Sequence, residues 1–257
     1  MTESRPILTV KGLSKTFGGL KAVDGVDFEV FPGEILGILG PNGAGKTVLF
    51  NLISGIYPPT SGQILFRDQR LDSLAPHQIA LSGIGRTFQI VKPFGSLTVL
   101  QNVLAACGIT RYNHLSKVWR PWGAKAEIQK AREILEKVGL IDLADRKAGL
   151  LPLGNLRRLE IARAMVVGQA ILLLDESFSG LRHEEIAQIE TLIRKIRDDG
   201  RTVILIEHNM RVTMGLCSRI VVLDHGRKIA EGPPESIQQD EKVIEAYLGR
   251  KGMGHAA

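Results

Sequence analysis

Alternation of apolar and charged positions predicts strands near the N-terminus, where Val26, Phe28 and Val30 are separated by acidic residues. This period of two is typical of a strand with one buried face. Two uninterrupted apolar runs, at 171–174 and 203–206, are instead typical of strands that are covered on both faces. Elsewhere apolar residues recur every three or four positions, which predicts two amphipathic helices. The helical positions are Ile128, Ala131, Leu135 and Val138 in one helix, and Ile186, Ile189, Ile193 and Ile196 in the other.

The strand and helix signals are unevenly distributed, which predicts an α/β protein with a helical insert. Strand signals vanish after residue 94 and return from residue 161. A chain of 257 residues suits one large domain or a domain with an insertion. We therefore predict a single domain over 1–257, whose α/β core is 1–94 and 161–257 and whose helical subdomain is about 95–160.

A glycine-rich loop follows the apolar run 35–39. Residues 40–47 read Gly-Pro-Asn-Gly-Ala-Gly-Lys-Thr, which satisfies G-x-x-x-x-G-K-[ST] at every fixed position. Strand, loop and helix in this order let successive backbone N–H groups face one concavity that binds phosphate. In such loops the lysine, here Lys46, reaches the β- and γ-phosphates, and the hydroxyl of Thr47 is a ligand for Mg²⁺. A glycine-rich turn without a ligand is the alternative, but it does not account for Lys46 and Thr47.

An acidic pair, Asp175 and Glu176, ends the apolar run 171–174. An aspartate at this place is the Walker B pattern, in which the carboxylate holds Mg²⁺ directly or through water. The chain leaves the strand at Glu176, so that this carboxylate points elsewhere and can act as a general base on an attacking water. The alternative is an acidic pair on the surface that caps the next helix.

Two further residues are candidates for contact with a γ-phosphate or its metal. His208 follows the run 203–206, on a strand that we expect beside the Walker B strand, although a histidine at a strand end is more often structural. Gln89 lies in the stretch Arg86-Thr87-Phe88-Gln89, and its neutral amide suits a contact with Mg²⁺ and water on a moving loop. Its spacing alone leaves this role open.

Composition and charge restrict the class of protein. No apolar run approaches the roughly 18–20 residues of a membrane helix, and no signal-peptide core follows the first residues. Cys107 and Cys217 are far apart and form no metal-binding spacing, which indicates reduced thiols in a cytoplasmic protein. The net charge of +6 and the isoelectric point near 9.4 allow contact with anionic lipid or nucleic acid, but a solvated basic surface explains them as well.

Taken together, the motifs resemble the ATP-binding subunits of ABC transporters over almost the whole chain. They follow in the order phosphate loop, Gln89, helical insert, the stretch 157–164, Asp175-Glu176 and His208. The resemblance implies a P-loop NTPase fold with a RecA-like core, an N-terminal antiparallel β subdomain and a helical insert. It also implies ATP and Mg²⁺ as cofactors and ATP hydrolysis as the activity.

The family pattern also assigns residues by position. The nucleotide-binding residues that it implies are Phe17, as the ring that stacks on adenine, and Val23, Gly40, Pro41, Asn42, Gly43, Ala44, Gly45, Lys46, Thr47 and Val48, with Pro152, Leu153 and Gly154 contributed in trans to the site of a second chain. The metal ligands that it implies are Thr47, Gln89 and Asp175, and the catalytic residues are Glu176, His208 and Gln89. For Phe17 the alternative is a phenylalanine in the core.

Several stretches resemble the ATPases of branched-chain amino acid importers more than other ABC subunits. These are 83–89, 94–103, 157–164 and 244–249. The resemblance implies a subunit that powers a membrane importer for branched-chain amino acids or related small polar solutes. It also implies a peripheral protein on the cytoplasmic face of the inner membrane. The implied partners are a second ATP-binding subunit (a paralogue or a second copy of this chain), permease subunits and indirectly a substrate-binding protein, without nucleic acid. The alternatives are a soluble ABC ATPase that acts on ribosomes or DNA and a nucleotide-binding regulator with weakened turnover.

The chain departs from the family pattern in the signature segment. The family has Leu-Ser-Gly-Gly-Gln, whereas residues 151–155 read Leu-Pro-Leu-Gly-Asn. Pro152 therefore supplies neither the hydroxyl nor the N–H that would bind a γ-phosphate. Arg182 stands where the family has Asp or Asn, and Val48 replaces a frequent threonine. These departures predict sound ATP binding and a weak signature contribution to a partner.

Overall fold

The protein is described by a computed structural model that covers residues 5–88, 92–111 and 124–248. The strands are β1 (Leu8–Phe17), β2 (Leu20–Val30), β3 (Ile35–Leu39), β4 (Ser61–Phe66), β5 (Gln69–Arg70), β6 (Ile84–Arg86), β7 (Ile171–Asp175), β8 (Thr202–Ile206), β9 (Arg219–Asp224) and β10 (Arg227–Gly232). The helices are α1 (Lys46–Ile53), α2 (Pro76–Ser82), α3 (Val99–Arg111), α4 (Lys125–Lys137), α5 (Leu153–Val167), α6 (His183–Asp198), α7 (Met210–Leu216), α8 (Pro234–Gln239) and α9 (Glu241–Leu248), with 3-10 turns at Ile141–Leu143 and Ala148–Leu150.

The chain forms two compact units, and the first combines Met1–Ile79 with Arg197–Ala257. It contains an antiparallel sheet in the order β2-β1-β4-β5. On β2 the residues Val26, Phe28 and Val30 are buried while the acidic residues between them are exposed, as the alternation predicts. The half-buried face of this sheet is therefore set by the period-two pattern of the sequence.

The same unit contains a parallel arrangement in which β3 lies between β8 and β9. Both β3 and β8 are buried along their whole length, as their continuous apolar runs predict. The hairpin of β9 and β10 is antiparallel, with Arg227 opposite Asp224. Because β3 is hydrogen-bonded to a strand on each side, its carboxyl end is fixed in position, and the loop at 40–45 begins there.

The second unit is Ala80–Ile196, and it holds α3, α4, α5 and nearly all of α6. Helices α3, α4 and α5 pack on one another, and β6 pairs in parallel with β7. Along α6 the buried residues are Ile189, Leu192, Ile193 and Ile196. The helix predicted from the isoleucine spacing is therefore present, and its apolar stripe faces the interior.

The buried amide of Asn102 fixes the loop that leads into α3. Its Oδ1 accepts from the Phe94 N–H at 2.9 Å, and its Nδ2 donates to the carbonyls of Phe94 at 3.1 Å and Thr98 at 2.9 Å. Asn102 is fully buried, so these bonds satisfy a side chain that would otherwise be costly to bury.

The α/β fold is confirmed, while the subdomain boundaries remain a prediction. The second unit is wider than the helical stretch of about 95–160, because it also contains β6 and β7. Over the described residues, no helix has the length and apolar character needed to cross a membrane.

Candidate functional site

The loop at 40–45 turns on glycines that adopt conformations unfavourable to other residues. Gly40, Gly43 and Gly45 have φ angles of 152°, 81° and 98°. An added Cβ at Gly40 would lie closer than 3.0 Å to the carbonyl oxygen of Leu223, and one at Gly45 would lie as close to that of Ala22. Glycine is therefore required at these two positions both by conformation and by the close approach of the backbone.

Neighbouring backbone holds this loop in place. The Ala44 N–H donates to the Pro41 carbonyl at 3.2 Å, and the Gly226 N–H of the β9–β10 turn donates to the Ala44 carbonyl at 3.1 Å. Helix α1 begins at Lys46 with Gly45 as its N-cap and no side chain bonded there. The first turn of α1 therefore offers its N–H groups to a ligand, as in other phosphate-binding helix N-termini.

Lys46 lies inside the loop, with 7% of its surface exposed. Its Nζ donates to the carbonyl oxygens of Gly40 at 2.6 Å and Pro41 at 3.0 Å. These bonds point the ammonium group into the curve of the loop, where the glycine motif predicts a phosphate. Asn42 and Thr47 are exposed at the mouth of the loop, so the Thr47 hydroxyl is accessible to a ligand.

Phe17 lies on the surface at the end of β1, with 41% of its area exposed. Its ring packs edge-on against Tyr57, with 5.2 Å between the centroids, and Lys15 Nζ lies 5.2 Å from the Phe17 centroid. The alternative of a core phenylalanine is therefore wrong. Tyr57 and Lys15 were missed by sequence reasoning, because nothing in the sequence signals that they join Phe17.

Val23 differs from Phe17, because its side chain is completely buried in the described structure. It lies on β2 opposite Lys15 of β1. In this arrangement Val23 packs in the core, and its contact with a nucleotide stays a prediction. The family pattern assigns it by position, and a position in a motif does not reveal the direction of a side chain.

In the second unit, Asp175 ends β7 with only 2% of its surface exposed. Its Oδ2 accepts from Arg86 Nη2 at 2.9 Å, and its backbone N–H donates to Thr87 Oγ1 at 3.1 Å. The surface-pair alternative is therefore wrong for Asp175. Burial lowers the pKa of Arg86, and the hydrogen bond to Asp175 opposes this effect. Sequence reasoning missed Arg86, since 89 positions separate it from Asp175.

Glu176 follows with a positive φ of 47°, a left-handed conformation that is rare for a residue with a Cβ. It is only partly buried, whereas Asp175 before it and Ser177 after it are buried. Asp175 and Glu176 therefore differ in exposure, and the direction and role of the Glu176 carboxylate stay predictions. Strained backbone of this kind is frequent at catalytic residues.

The structure describes His208 but not Gln89. His208 lies two residues beyond β8 and is exposed, while its neighbour Glu207 is fully buried. The imidazole of His208 is thus accessible in the first unit. Gln89 lies outside the described residues, so its proposed metal and catalytic roles remain predictions.

The signature segment forms the beginning of α5. Pro152 is the N-cap residue and no side-chain hydrogen bond caps the helix, so the departure from serine leaves this end without a hydroxyl. Leu153 is 40% exposed. Gly154 is buried against the Glu185 carboxylate, whose Oε2 accepts from the Arg182 N–H at 2.9 Å.

Farther along α5, buried charged side chains hold the backbone of Phe88. The Phe88 N–H donates to Glu160 Oε1 at 3.1 Å, and Arg157 Nη1 donates to the Phe88 carbonyl at 3.4 Å. Arg157 and Glu160 also pair with each other at 3.5 Å. Burial raises the pKa of Glu160, while the contacts with Phe88 and Arg157 act in the opposite direction.

The C-terminal helix contributes Tyr247 near the start of the phosphate loop. Burial raises the pKa of Tyr247 to about 12, against the opposing influence of the Gly40 backbone. Residues 244–249 contribute to the family resemblance, but no pattern in them predicts that Tyr247 lies near Gly40.

The donors available for Mg²⁺ are oxygens, which suit a hard cation. Among the described residues, no group of three or more His, Cys, Asp or Glu side chains is arranged to hold a metal ion. Mg²⁺ in nucleotide sites does not require such a group, since it takes one or two protein oxygens and completes its shell with phosphates and water. The Asp175 carboxylate and the Thr47 hydroxyl therefore fit this ion chemically.

Comparisons with known proteins agree with this chemistry. Residues 23–179 match the family model described as ABC transporter, and residues 227–252 match the one described as branched-chain amino acid ATP-binding cassette transporter. The chain is 44% identical over 254 residues to the high-affinity branched-chain amino acid transport ATP-binding protein LivG of Escherichia coli K12, covering 96% of this chain and 99% of LivG. It is 41% identical over 256 residues to BraF of Pseudomonas aeruginosa, which carries the same description, with the same coverage.

A solved structure shows the same fold. The ADP conformation of an ATP-binding cassette of an ABC transporter superposes with a TM-score of 0.85 at 32% identity, covering 96% of this chain and all of that one. These relatives support the transport interpretation and not the alternative of a regulatory or non-transport ATPase. From its family match and from the extent of its identity to these relatives, the chain belongs to the ABC transporter family as an ATP-binding protein.

Proposed function

We propose that the chain is the ATP-hydrolysing subunit that powers a membrane importer for branched-chain amino acids. The observation that carries this proposal is near full-length similarity to LivG and BraF, supported by the family match at 227–252. The intact phosphate loop, with Lys46 held in its curve, supplies the chemistry that such a subunit needs.

The phosphate loop and α1 bind the triphosphate in this proposal. The backbone N–H groups at the start of α1 and the ammonium group of Lys46 compensate the phosphate charge. By the family pattern, Thr47, Asp175 and Gln89 would each supply an oxygen ligand to Mg²⁺, which would neutralise phosphate charge. Phe17 presents its exposed ring to adenine, a contact worth about 1 kcal/mol.

Glu176 acts as the general base on the attacking water. Its left-handed backbone and partial exposure, next to the buried Asp175, support separate roles, with Asp175 at the metal and Glu176 at the water. His208 is exposed beyond β8 and contacts the γ-phosphate in this scheme.

The partners in this proposal are a second ATP-binding subunit, permease subunits and, through them, a substrate-binding protein. The chain is peripheral on the cytoplasmic face of the inner membrane. In the paired state Pro152, Leu153 and Gly154 face the nucleotide of the second subunit. Exposed apolar side chains near the sequence stretch 89–100, Phe88 at 53% and Phe94 at 51%, suit a surface that meets a membrane subunit.

Uptake measurements in the source organism test this proposal. Deletion of the gene should abolish high-affinity uptake of labelled leucine, and reintroduction of the wild type should restore it. Reintroduction of Glu176→Gln should not restore it, whereas Arg132→Gln, a change at an exposed arginine on α4, should. Uptake of labelled glutamine serves as the control for general energisation. Unchanged leucine uptake after deletion would reject the proposed cargo.

A further inference from the structure

The Asp175 carboxylate proposed for Mg²⁺ is already paired with a cation of this chain. Arg86 Nη2 lies 2.9 Å from Asp175 Oδ2, and the two side chains are 8% and 2% exposed. The pair joins the end of β6 to the end of β7 within the parallel pairing of these strands. An ion pair so thoroughly buried is much less screened by water and salt than one on the surface.

This pair places the positive charge of Arg86 beside the Asp175 carboxylate, where the proposed function also places the positive charge of Mg²⁺. A guanidinium and Mg²⁺ that share one carboxylate repel each other, and the guanidinium also withdraws negative charge from the metal site. A metal ion that binds the same carboxylate oxygens is opposed by the positive charge of Arg86 beside them.

We propose that Arg86 is a positioning residue that holds Asp175 in the absence of metal and competes with Mg²⁺ for its carboxylate. In the metal-free chain the pair keeps a buried negative charge compensated. With nucleotide and metal present, Asp175 shares its charge with Mg²⁺, and its hold on Arg86 weakens. Arg86 thereby lowers the affinity for Mg²⁺. This inference rests on the metal role of Asp175 in the proposed function.

An Arg86 side chain that is released from Asp175 lies beside the ring of Phe88. Its guanidinium lies 5.3 Å from the centroid of the Phe88 ring, and the Phe88 backbone is bonded to Glu160 and Arg157 of α5. A change at Asp175 is therefore connected by contacts within this unit to α5, the helix that begins with the signature segment. Metal occupancy at Asp175 and the position of Phe88 are therefore coupled through the side chain of Arg86.

Nucleotide affinity measured with and without Mg²⁺ tests the competition without turnover. Calorimetric titration with the non-hydrolysable analogue AMP-PNP, once in EDTA and once in excess Mg²⁺, gives the factor by which Mg²⁺ strengthens binding. Arg86→Gln should increase this factor by about tenfold over the wild type, because the competing charge is removed. The matched control Arg132→Gln, at an exposed arginine of the same unit, should leave the factor unchanged.

Stability provides the second readout. Arg86→Gln should lower the melting temperature of the metal-free chain, since Asp175 loses its partner, and Mg²⁺ with AMP-PNP should recover more of that loss than it adds to the wild type. If Arg86→Gln proves too unstable to purify, Arg86→Lys keeps the charge with a different geometry and should give a smaller increase in the Mg²⁺ factor.

Asp175→Asn distinguishes failure of this inference from failure of the proposed function. It should reduce the Mg²⁺ factor well below that of the wild type. If it does so while Arg86→Gln leaves the factor unchanged or lowers it, the competition is rejected and the metal role of Asp175 stands. If Asp175→Asn leaves the factor unchanged, the metal role of Asp175 is itself rejected and the competition falls with it.

Discussion

The phosphate loop and the start of α5 are both helix N-termini to which the proposed function assigns a phosphate, yet they are built differently. At the phosphate loop, Gly45 is the N-cap and Lys46 adds a buried ammonium group. At α5 the N-cap is Pro152, and no side chain donates or accepts there. The first site therefore has backbone and side-chain donors for an anion, whereas the second depends on backbone N–H groups alone.

Under the proposed function, binding and turnover therefore have separate structural requirements in this chain. The groups proposed to hold a nucleotide in the ground state are intact in the first unit. The groups proposed for a partner's nucleotide, at the start of α5, lack a side-chain donor. Substitutions at the two helix N-termini should therefore fail in different ways, and the variants that follow use that contrast.

Loss of the proposed base should give the largest effect. Glu176→Gln should keep ATP binding and lower hydrolysis by roughly 10² or more, because the neutral amide cannot accept the proton of the attacking water. Lys46→Ala should instead weaken ATP binding, since it removes a cation from the ground-state complex. Nucleotide affinity and steady-state turnover of both variants measure this contrast. Turnover like that of the wild type in Glu176→Gln would remove Glu176 as the base.

The two glycines at these helix starts offer a matched comparison. An added Cβ at Gly45 meets the Ala22 backbone at a φ of 98°, whereas one at Gly154 meets only the Glu185 side chain. Gly45→Ala should therefore destabilise the chain by about 3 kcal/mol and abolish ATP binding, because the Ala22 backbone cannot move away from the added Cβ. Gly154→Ala should cost less, since Glu185 can rotate.

Urea unfolding with ATP titration of both alanine variants measures this difference. The change in midpoint reports stability, and the titration reports whether the loop still binds. Equal losses of stability for Gly45→Ala and Gly154→Ala would show that the two helix starts tolerate a Cβ alike, and the contrast drawn between them would be wrong.

The adenine contact should give the smallest effect. Phe17→Ala should reduce ATP affinity by about 1–2 kcal/mol, and Phe17→Tyr should be tolerated, because the ring face is what adenine uses. Tyr57 supports this ring edge-on, so Tyr57→Ala should have a smaller effect of the same sign. Fluorescence titration with a labelled nucleotide measures all three. An unchanged affinity for Phe17→Ala would show that the exposed ring serves another purpose.

The sequence predicts the phosphate loop well because its chemistry lies in adjacent residues. The glycines bend the backbone, and Lys46 and Thr47 follow them at once, so the motif specifies its own local structure. The buried strands β7 and β8 were predicted for a similar reason, since a continuous apolar run is a local signal.

Contacts between distant residues could not be predicted in the same way. Arg86 reaches Asp175 across 89 positions, and its direction depends on the pairing of β6 with β7. The family pattern assigns Val23 to nucleotide binding, but its side chain faces the core because of the register of β2 on β1. The register of β1 on β2 shifts between Val26 and Val23, and the period-two pattern of residues 26–30 does not reveal that shift.

Turnover of the purified chain as a homodimer, with and without Pro152→Ser, tests most directly whether the start of α5 limits catalysis. The restored hydroxyl would supply a hydrogen bond to a charged phosphate worth roughly 1.5–3 kcal/mol. We expect a marked rise in homodimer turnover and at most a twofold rise in a mixed dimer whose other subunit has an intact signature. An unchanged homodimer rate would show that the start of α5 does not limit catalysis and would contradict the role given to Pro152.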